Sequence, residues 1–272
     1  MYDKKFFIGI DSDGTAFDSM TIKHTDSFIP AMLKVWNLYD VKERATEIEQ
    51  KITLYSKTRG VNRFPGQLMT FQKMAEEGIF SEDFSDLEAF VNSGRGFSTK
   101  ALEEFAKECG SEFMQKVVEW NRLSDELFSK NCEGIMPFGY VKESLQKAIH
   151  TADIGVISSA MKEGLETDWK GGGIAEFTSI ILGKENGTKK EQLKSVADGK
   201  YDKECILMIG DAIGDLEAAK SIDALFYPII AGKEIASWKQ FHDEALQMFF
   251  DGKYAGEYEN KLIDNFYLCF EE

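Results

Sequence analysis

Two short apolar runs in this chain each end in acid. Phe6-Phe7-Ile8-Gly9-Ile10 leads into Asp11-Ser12-Asp13-Gly14-Thr15, and Cys205-Ile206-Leu207-Met208-Ile209 leads into Gly210-Asp211-Ala212-Ile213-Gly214-Asp215. Continuous apolar runs of this length read as strands buried on both faces, the hallmark of a parallel sheet covered by helices. In open parallel sheets the ligand crevice lies beyond the carboxyl ends of the strands. If the two strands are neighbours, four carboxylates meet at one point. Like charges that close repel unless a cation holds them or some are protonated. Oxygen ligands select a hard cation, so Mg²⁺ is the expected cofactor.

Further strands are expected at Ile154–Ser158, Phe177–Ile181 and Leu225–Ile230, beside Phe6–Ile10 and Cys205–Ile209. Helical patterns separate the four strands from Ile154 onward, which gives the α/β alternation of a parallel sheet. The stretch between the first two strands shows no strand signal. It reads as successive helices: Ala31–Leu38, Glu43–Ser56, Gly66–Glu77, Phe84–Asn92, Thr99–Glu108 and Ser111–Phe128, with breaks at Gly60, Pro65, Gly78, Gly94, Gly96 and Gly110. A parallel crossover needs only about a dozen residues. This stretch is far longer, so residues 17–134 are expected to form an inserted all-helical domain on an α/β core of 1–16 and 135–272. The return hinge is placed near Asn131-Cys132-Glu133-Gly134. The chain is expected to close with helices at Glu234–Phe249 and Tyr258–Phe270.

At 272 residues with 43% apolar content, a sizeable core is available. The net charge of −15 argues against nucleic acid and anionic membranes as partners. An anion site on such a surface must be built locally from a metal, a few basic groups and helix N-termini. The four cysteines, Cys109, Cys132, Cys205 and Cys269, form no C-x-x-C pair and suit free thiols in a reducing cytoplasm. No apolar stretch reaches the length of a membrane span, and the N-terminus carries no signal-peptide pattern.

The motif residues suggest roles. A carboxylate directly after the strand, Asp11, suits a nucleophile that attacks phosphorus. Asp13, two residues on, suits a general acid and base. Gly14 allows a sharp exit from the strand, and Thr15 can tie that turn down. Asp211 is the strongest metal-ligand candidate. Asp215 opens a helical pattern and also reads as an N-cap. Ser158 ends its strand where a hydroxyl and the following N–H groups can hold a phosphoryl oxygen. Lys189 and Lys190 follow Thr188, which reads as a helix N-cap with Glu191 completing a capping box. A lysine here, or Lys184, can reach back to the acids.

Taken together, D-x-D-G-T, a strand-end hydroxyl, a lysine and G-D-x-x-x-D, in that order, resemble the haloacid dehalogenase superfamily. The resemblance implies a doubly wound parallel sheet with a helical cap inserted after the first motif. It implies Asp11 as nucleophile, Asp13 as general acid and base, and Ser158 and Lys189 as phosphoryl-group ligands. Mg²⁺ would be bound by Asp11, Asp211 and Asp215 and by the Asp13 backbone carbonyl. Dehalogenating and phosphonate-cleaving members lack the second Asp of the first motif, so Asp13 favours phosphate esters. Arg59-Gly60-Val61-Asn62-Arg63 resembles the G-x-x-R cap loop of sugar phosphomutases. It makes Arg63, with Arg59 or Lys57 nearby, the candidate grip on a substrate's distal phosphate; Arg95 is a weaker one of the same kind.

The expected function is a Mg²⁺-dependent phosphatase for a small phosphorylated metabolite, working through an aspartyl phosphate. The alternative is a phosphomutase acting on a sugar phosphate. A non-catalytic binding protein is disfavoured because every expected chemical group is present. A dinucleotide binder is disfavoured because no G-x-G-x-x-G follows the first strand.

Overall fold

The computed structural model describes residues 4–270. The sheet contains β1 (Phe6–Ile10), β2 (Ala152–Ile157), β3 (Ile180–Leu182), β4 (Ile206–Gly210) and β5 (Leu225–Pro228) in the order β3-β2-β1-β4-β5. All neighbours are parallel, with Ile10 opposite Val156 on one side and Ile209 on the other. The chain winds from β1 outward to β2 and β3, then returns to the other side for β4 and β5. The reversal lies between β1 and β4, where an open sheet forms its crevice.

Side chains alternate strictly between two cores. Phe6, Ile8 and Ile10 of β1, with Leu207 and Ile209 of β4, enter one core against α8 (Val141–Ala148), α9 (Lys162–Gly171), α12 (Glu234–Gln240) and α13 (Leu246–Phe250). Phe7, Ile206 and Met208 enter the other against α10 (Lys189–Ala197), α11 (Ile213–Lys220) and α14 (Glu257–Leu268). Burial on both faces is why these strands read as unbroken apolar runs. The fold is therefore a doubly wound parallel α/β sheet carrying an inserted helical unit.

Two compact units result: Met1–Met20 with Gly134–Glu272, and Thr21–Glu133. Residues 17–20 stay with the sheet unit because the chain is pinned there. Phe17 bridges Pro137, and the Phe138 N–H donates to the Ala16 carbonyl at 2.9 Å. The helical unit contains most of α1 (Ser19–Lys23), then α2 (Ile29–Val35), α3 (Lys42–Thr53), α4 (Arg63–Glu76), α5 (Ser85–Asn92), α6 (Thr99–Cys109) and α7 (Glu112–Asn131). Its core is aromatic: Trp36, Phe64, Phe71, Phe90 and Trp120 are buried together.

Several boundaries differ from the sequence expectation. Helix α4 starts three residues earlier, because Asn62 caps it by accepting from the Phe64 N–H. Pro65 then sits in the first turn, where its missing N–H costs nothing, and does not break the helix. The strand expected from Phe177 begins only at Ile180. Ala175–Phe177 closes a 3₁₀ turn, with the Thr178 N–H and hydroxyl both donating to the Ala175 carbonyl. The helix expected over Glu234–Phe249 is interrupted by a π-helical turn at Phe241–Ala245. Ile154–Ser158 and Cys205–Ile209 are each displaced by a residue or two, within ordinary end-fraying.

Glycine in the sheet interior is a packing device. A Cβ at Gly155 would lie 2.8 Å from the Phe7 ring on the neighbouring strand. Gly155→Val is expected to lower unfolding stability by about 1–3 kcal/mol through overpacking, read as a shift of the urea midpoint at constant m-value.

Candidate active site

The two acidic motifs meet at the β1–β4 switch point. The Asp11 N–H donates to the Ile209 carbonyl at 3.0 Å, so the ladder continues one residue past β1. Beyond it, Asp11, Asp211 and Asp215 each present a carboxylate oxygen within 4.8 Å of the others, and all three residues are buried.

Three local features hold these acids in place. Gly14 turns the chain out of β1 at φ 74°, a conformation that other L-residues rarely adopt. Thr15 then donates its hydroxyl to Asp211 Oδ1 at 2.7 Å, tying the first motif to the second. Asp215 is not the N-cap of α11 but its third residue. Ala212 occupies the cap, and its N–H donates to Asp215 Oδ2 at 3.1 Å. Gly210 makes room for this arrangement, since a Cβ there would fall 2.3–2.6 Å from the Asp215 side chain.

Lys189 is the lysine that reaches the acids. Its Nζ lies 2.6 Å from Asp215 Oδ1 and 3.0 Å from Asp11 Oδ1. Lys190 instead pairs with Glu217 at 3.2 Å on the exposed side of α10. The register follows from the cap: Thr188 Oγ1 accepts from the Glu191 N–H, and Glu191 answers at the Thr188 N–H. Lys189 is thereby fixed as the first helical residue, aimed at the crevice.

Burial pushes the Asp11 carboxyl well above its ordinary range. Lys189 opposes this, while Asp215, Asp211 and Asp13 add to it. Asp215 is raised for the same reason, burial first and Asp211 next, against Lys189. Burial disfavours the Lys189 charge, yet Asp11 and Asp215 outweigh it and hold the ammonium firmly protonated. Asp11 Oδ1 is buried and makes no hydrogen bond of good geometry, its ion pair with Lys189 notwithstanding. Clustered buried carboxylates with an orphaned oxygen and an all-oxygen donor set fit a hard divalent cation.

The Asp13 carboxylate does not join this group. It turns aside and accepts from the Ser19 hydroxyl at 2.5 Å. Ser158 directly follows β2 and is nearly fully buried, and its Oγ accepts from the Ala160 N–H at 3.2 Å. Arg59 and Arg63 belong to the helical unit and are engaged within it. The Arg59 guanidinium is buried and donates to the Leu54 carbonyl at 2.8 Å. Arg63 pairs with Asp125 at 2.6 Å, donates to Asn121 at 3.0 Å and stacks over Phe28. Arg95 pairs with Glu108 at 2.6 Å.

The supporting residues Trp238, Trp169 and Gln192 gave no signal in the sequence analysis. Trp238 donates its indole N–H to the Thr15 carbonyl at 2.7 Å, and Trp169 donates to Ser12 Oγ at 3.0 Å. In sequence they read as ordinary apolar helix residues, and only their polar atoms, brought near by folding, reveal the role.

Residues 61–227, more than half of the chain, match the haloacid dehalogenase-like hydrolase family, and the protein belongs to that family of enzymes. The matched stretch contains Ser158, Lys189, Asp211 and Asp215. Asp11 and Asp13 precede it, and β1 brings the Asp11 carboxylate to those of Asp211 and Asp215. Among curated proteins, none matches the chain by sequence. A protein of Haemophilus somnus, described as a predicted phosphoglycolate phosphatase, is 14% identical, with 83% of this chain and 85% of that one covered and a TM-score of 0.51. A protein of Lactobacillus delbrueckii subsp. bulgaricus with the same provisional description is 14% identical, with 89% and 92% covered and a TM-score of 0.50. The L-2-haloacid dehalogenase of Xanthobacter autotrophicus is 13% identical, with 92% and 88% covered and a TM-score of 0.44. At these identities the likeness is one of fold. No helix among the described residues is long and apolar enough to cross a membrane.

Gly210→Ala is expected to displace Asp215, lowering stability by about 1–3 kcal/mol. If the acids hold a cation, the parent is expected to gain melting temperature in MgCl₂ and Gly210→Ala to gain less, measured by thermal unfolding with and without MgCl₂.

Proposed function

We propose that this hydrolase removes phosphate from a small phosphorylated metabolite, with Mg²⁺ as cofactor and Asp11 as nucleophile. The observation that carries the reading is the gathering of Asp11, Asp211 and Asp215 around one point with Lys189 against two of them. Asp11, Asp211 and Asp215 would hold the cation, with the Asp13 backbone carbonyl. Bound Mg²⁺ would neutralise the crowded acids and draw charge from the phosphoryl oxygens.

Asp11 has two properties that a nucleophile here needs. Its carboxylate stands at the carboxyl end of the central strand, fixed by the backbone bond to Ile209. Its ionised form is favoured by Lys189, against the cost of burial. In the first step an Asp11 oxygen bonds to phosphorus and the ester P–O bond breaks. Asp13, protonated and oriented by Ser19, gives its proton to the leaving alcohol oxygen. In the second step water attacks the aspartyl phosphate. Asp13, now a carboxylate, takes the water proton, and the P–O bond to Asp11 breaks to release phosphate. Lys189 and Ser158 with the N–H groups after it would hold the phosphoryl oxygens throughout.

The acid/base group separates this reading from dehalogenation. Displacing a halide produces no alkoxide that needs a proton, whereas an alcohol leaving group does, and Asp13 would give one. Arg63 is our candidate contact for the remote end of the substrate, and Arg59, tied to Leu54, would shape the loop that carries it. The four free thiols suit a reducing compartment, the cytoplasm.

With an aryl phosphate and Mg²⁺, Asp11→Asn is expected to abolish turnover. Asp13→Asn is expected to slow it by about 10²–10⁴-fold, the usual worth of a general acid, while Mg²⁺ affinity by titration calorimetry stays within about twofold. Parent-like turnover in Asp11→Asn would remove the nucleophile assignment. The same assay across phosphorylated metabolites would separate hydrolysis, which releases inorganic phosphate, from mutase activity, which yields an isomer. On the best substrate from that survey, Arg63→Ala is expected to raise KM clearly more than on the aryl phosphate, and equal effects would sink the Arg63 role.

A further inference from the structure

Gln192 lies on α10, three residues after Lys189, and its side chain is fully buried. Its amide makes contact with three separate segments. Oε1 accepts from the Ser158 N–H at 3.1 Å. Nε2 lies 2.9 Å from each of three carbonyl oxygens: those of Ser158, Gly183 and Gly187. Only this orientation of the amide pairs every group, since the reverse would set NH₂ against the Ser158 N–H. The two amide hydrogens serve three acceptors, so at least one is shared.

Two of the three segments carry the groups proposed above to hold the phosphoryl oxygens. Ser158 directly follows β2. Gly183 follows β3. Gly187 precedes Thr188, the cap that sets the register of Lys189. Gln192 therefore connects the strand end bearing the Ser158 hydroxyl to the helix bearing the Lys189 ammonium. We propose that Gln192 is a positioning residue for phosphoryl binding, holding Ser158 and Lys189 at their mutual distance. This inference rests on the roles given above to those two residues. Gln192 itself does not touch the substrate.

A buried amide with four polar contacts also has structural weight, so the test must separate positioning from stability. Gln192→Met keeps length and volume and removes every hydrogen bond. Gln192→Asn keeps the amide one methylene short. Phe266→Leu, in the distant contact of α14 with β5, serves as a control for stability loss alone. Two readouts are needed, both well below each variant's melting temperature: kcat and KM on an aryl phosphate with Mg²⁺, and calorimetric binding of inorganic phosphate with Mg²⁺.

Gln192→Met is expected to lose about 10²-fold in kcat/KM, the scale of a misplacement of about 1 Å. Phosphate affinity is expected to fall roughly tenfold as a charge-assisted contact is displaced. Gln192→Asn should lie between it and the parent, and Phe266→Leu should leave both readouts unchanged. If Gln192→Met retains both within about twofold, or moves them no further than the control, the proposal is overturned. Should Gln192→Met not fold, Gln192→Asn decides by the same two readouts; if neither folds, the residue is structural and the proposal is overturned. A parent that hydrolyses the ester equally well as Asp11→Asn would remove the nucleophile but leave phosphate binding to decide on Gln192. A parent that neither hydrolyses nor binds phosphate would remove both.

Discussion

The ammonium of Lys189, seated between Asp11 and Asp215, is the contact on which the site depends. Three carboxylates with oxygens inside 4.8 Å cannot share a buried space as free anions. Each pair repels by about 3–4 kcal/mol at an effective dielectric near 20, and burial adds a desolvation cost. Lys189 offsets part of this, and its own charge is sustained by the same acids. The negative charge that remains is what the proposed divalent cation would neutralise. An electrostatic conflict, tolerable only because the sheet is rigid, would thus serve as a binding site.

Rigidity comes from the way the sheet is buried. Both faces of β1 and β4 pack against helices, so neither strand can slip to separate its terminal acid from its neighbour's. The loops beyond the strands are then held by a few long-range hydrogen bonds. Thr15 bonds to Asp211, Trp238 to Thr15, Trp169 to Ser12, and Gln192 to the ends of two strands and the approach to α10. The tryptophan and Thr15 bonds span more than 150 residues each and exist only once the sheet has formed, whereas Gln192 joins its own approach loop, 5 and 9 residues back, to Ser158, 34 residues away. With a net charge of −15, the proposed phosphorylated substrate would be repelled at range and would have to find its attraction within the crevice.

Legibility in the sequence followed the physics of each feature. The strands and their order along the chain were readable because double burial leaves apolar runs, and the acids because they stand directly after those runs. The Thr188–Glu191 capping box was readable because it is local. Asp215 reads in sequence both as a metal-ligand candidate and as an N-cap; the cap is Ala212, and Asp215 answers it from the third position of α11. Pro65 was expected as a break and became part of a first turn, because Asn62 capped the helix earlier than the apolar pattern began. Gln192, Trp169 and Trp238 left no trace, since a buried polar contact has no periodicity.

What the amino-acid order determined by itself was the set of short-range features: which runs must be buried, where helices begin, and which acids follow a strand. These depend on neighbours within a turn or a strand length. What only the tertiary structure decided was which lysine faces the acids, which way the Asp13 carboxylate turns, and what supports Ser158. The first and third depend on contacts between segments far apart in the chain, fixed by strand order, register and close packing together, and the second on the turn out of β1 that sets Ser19 beside Asp13.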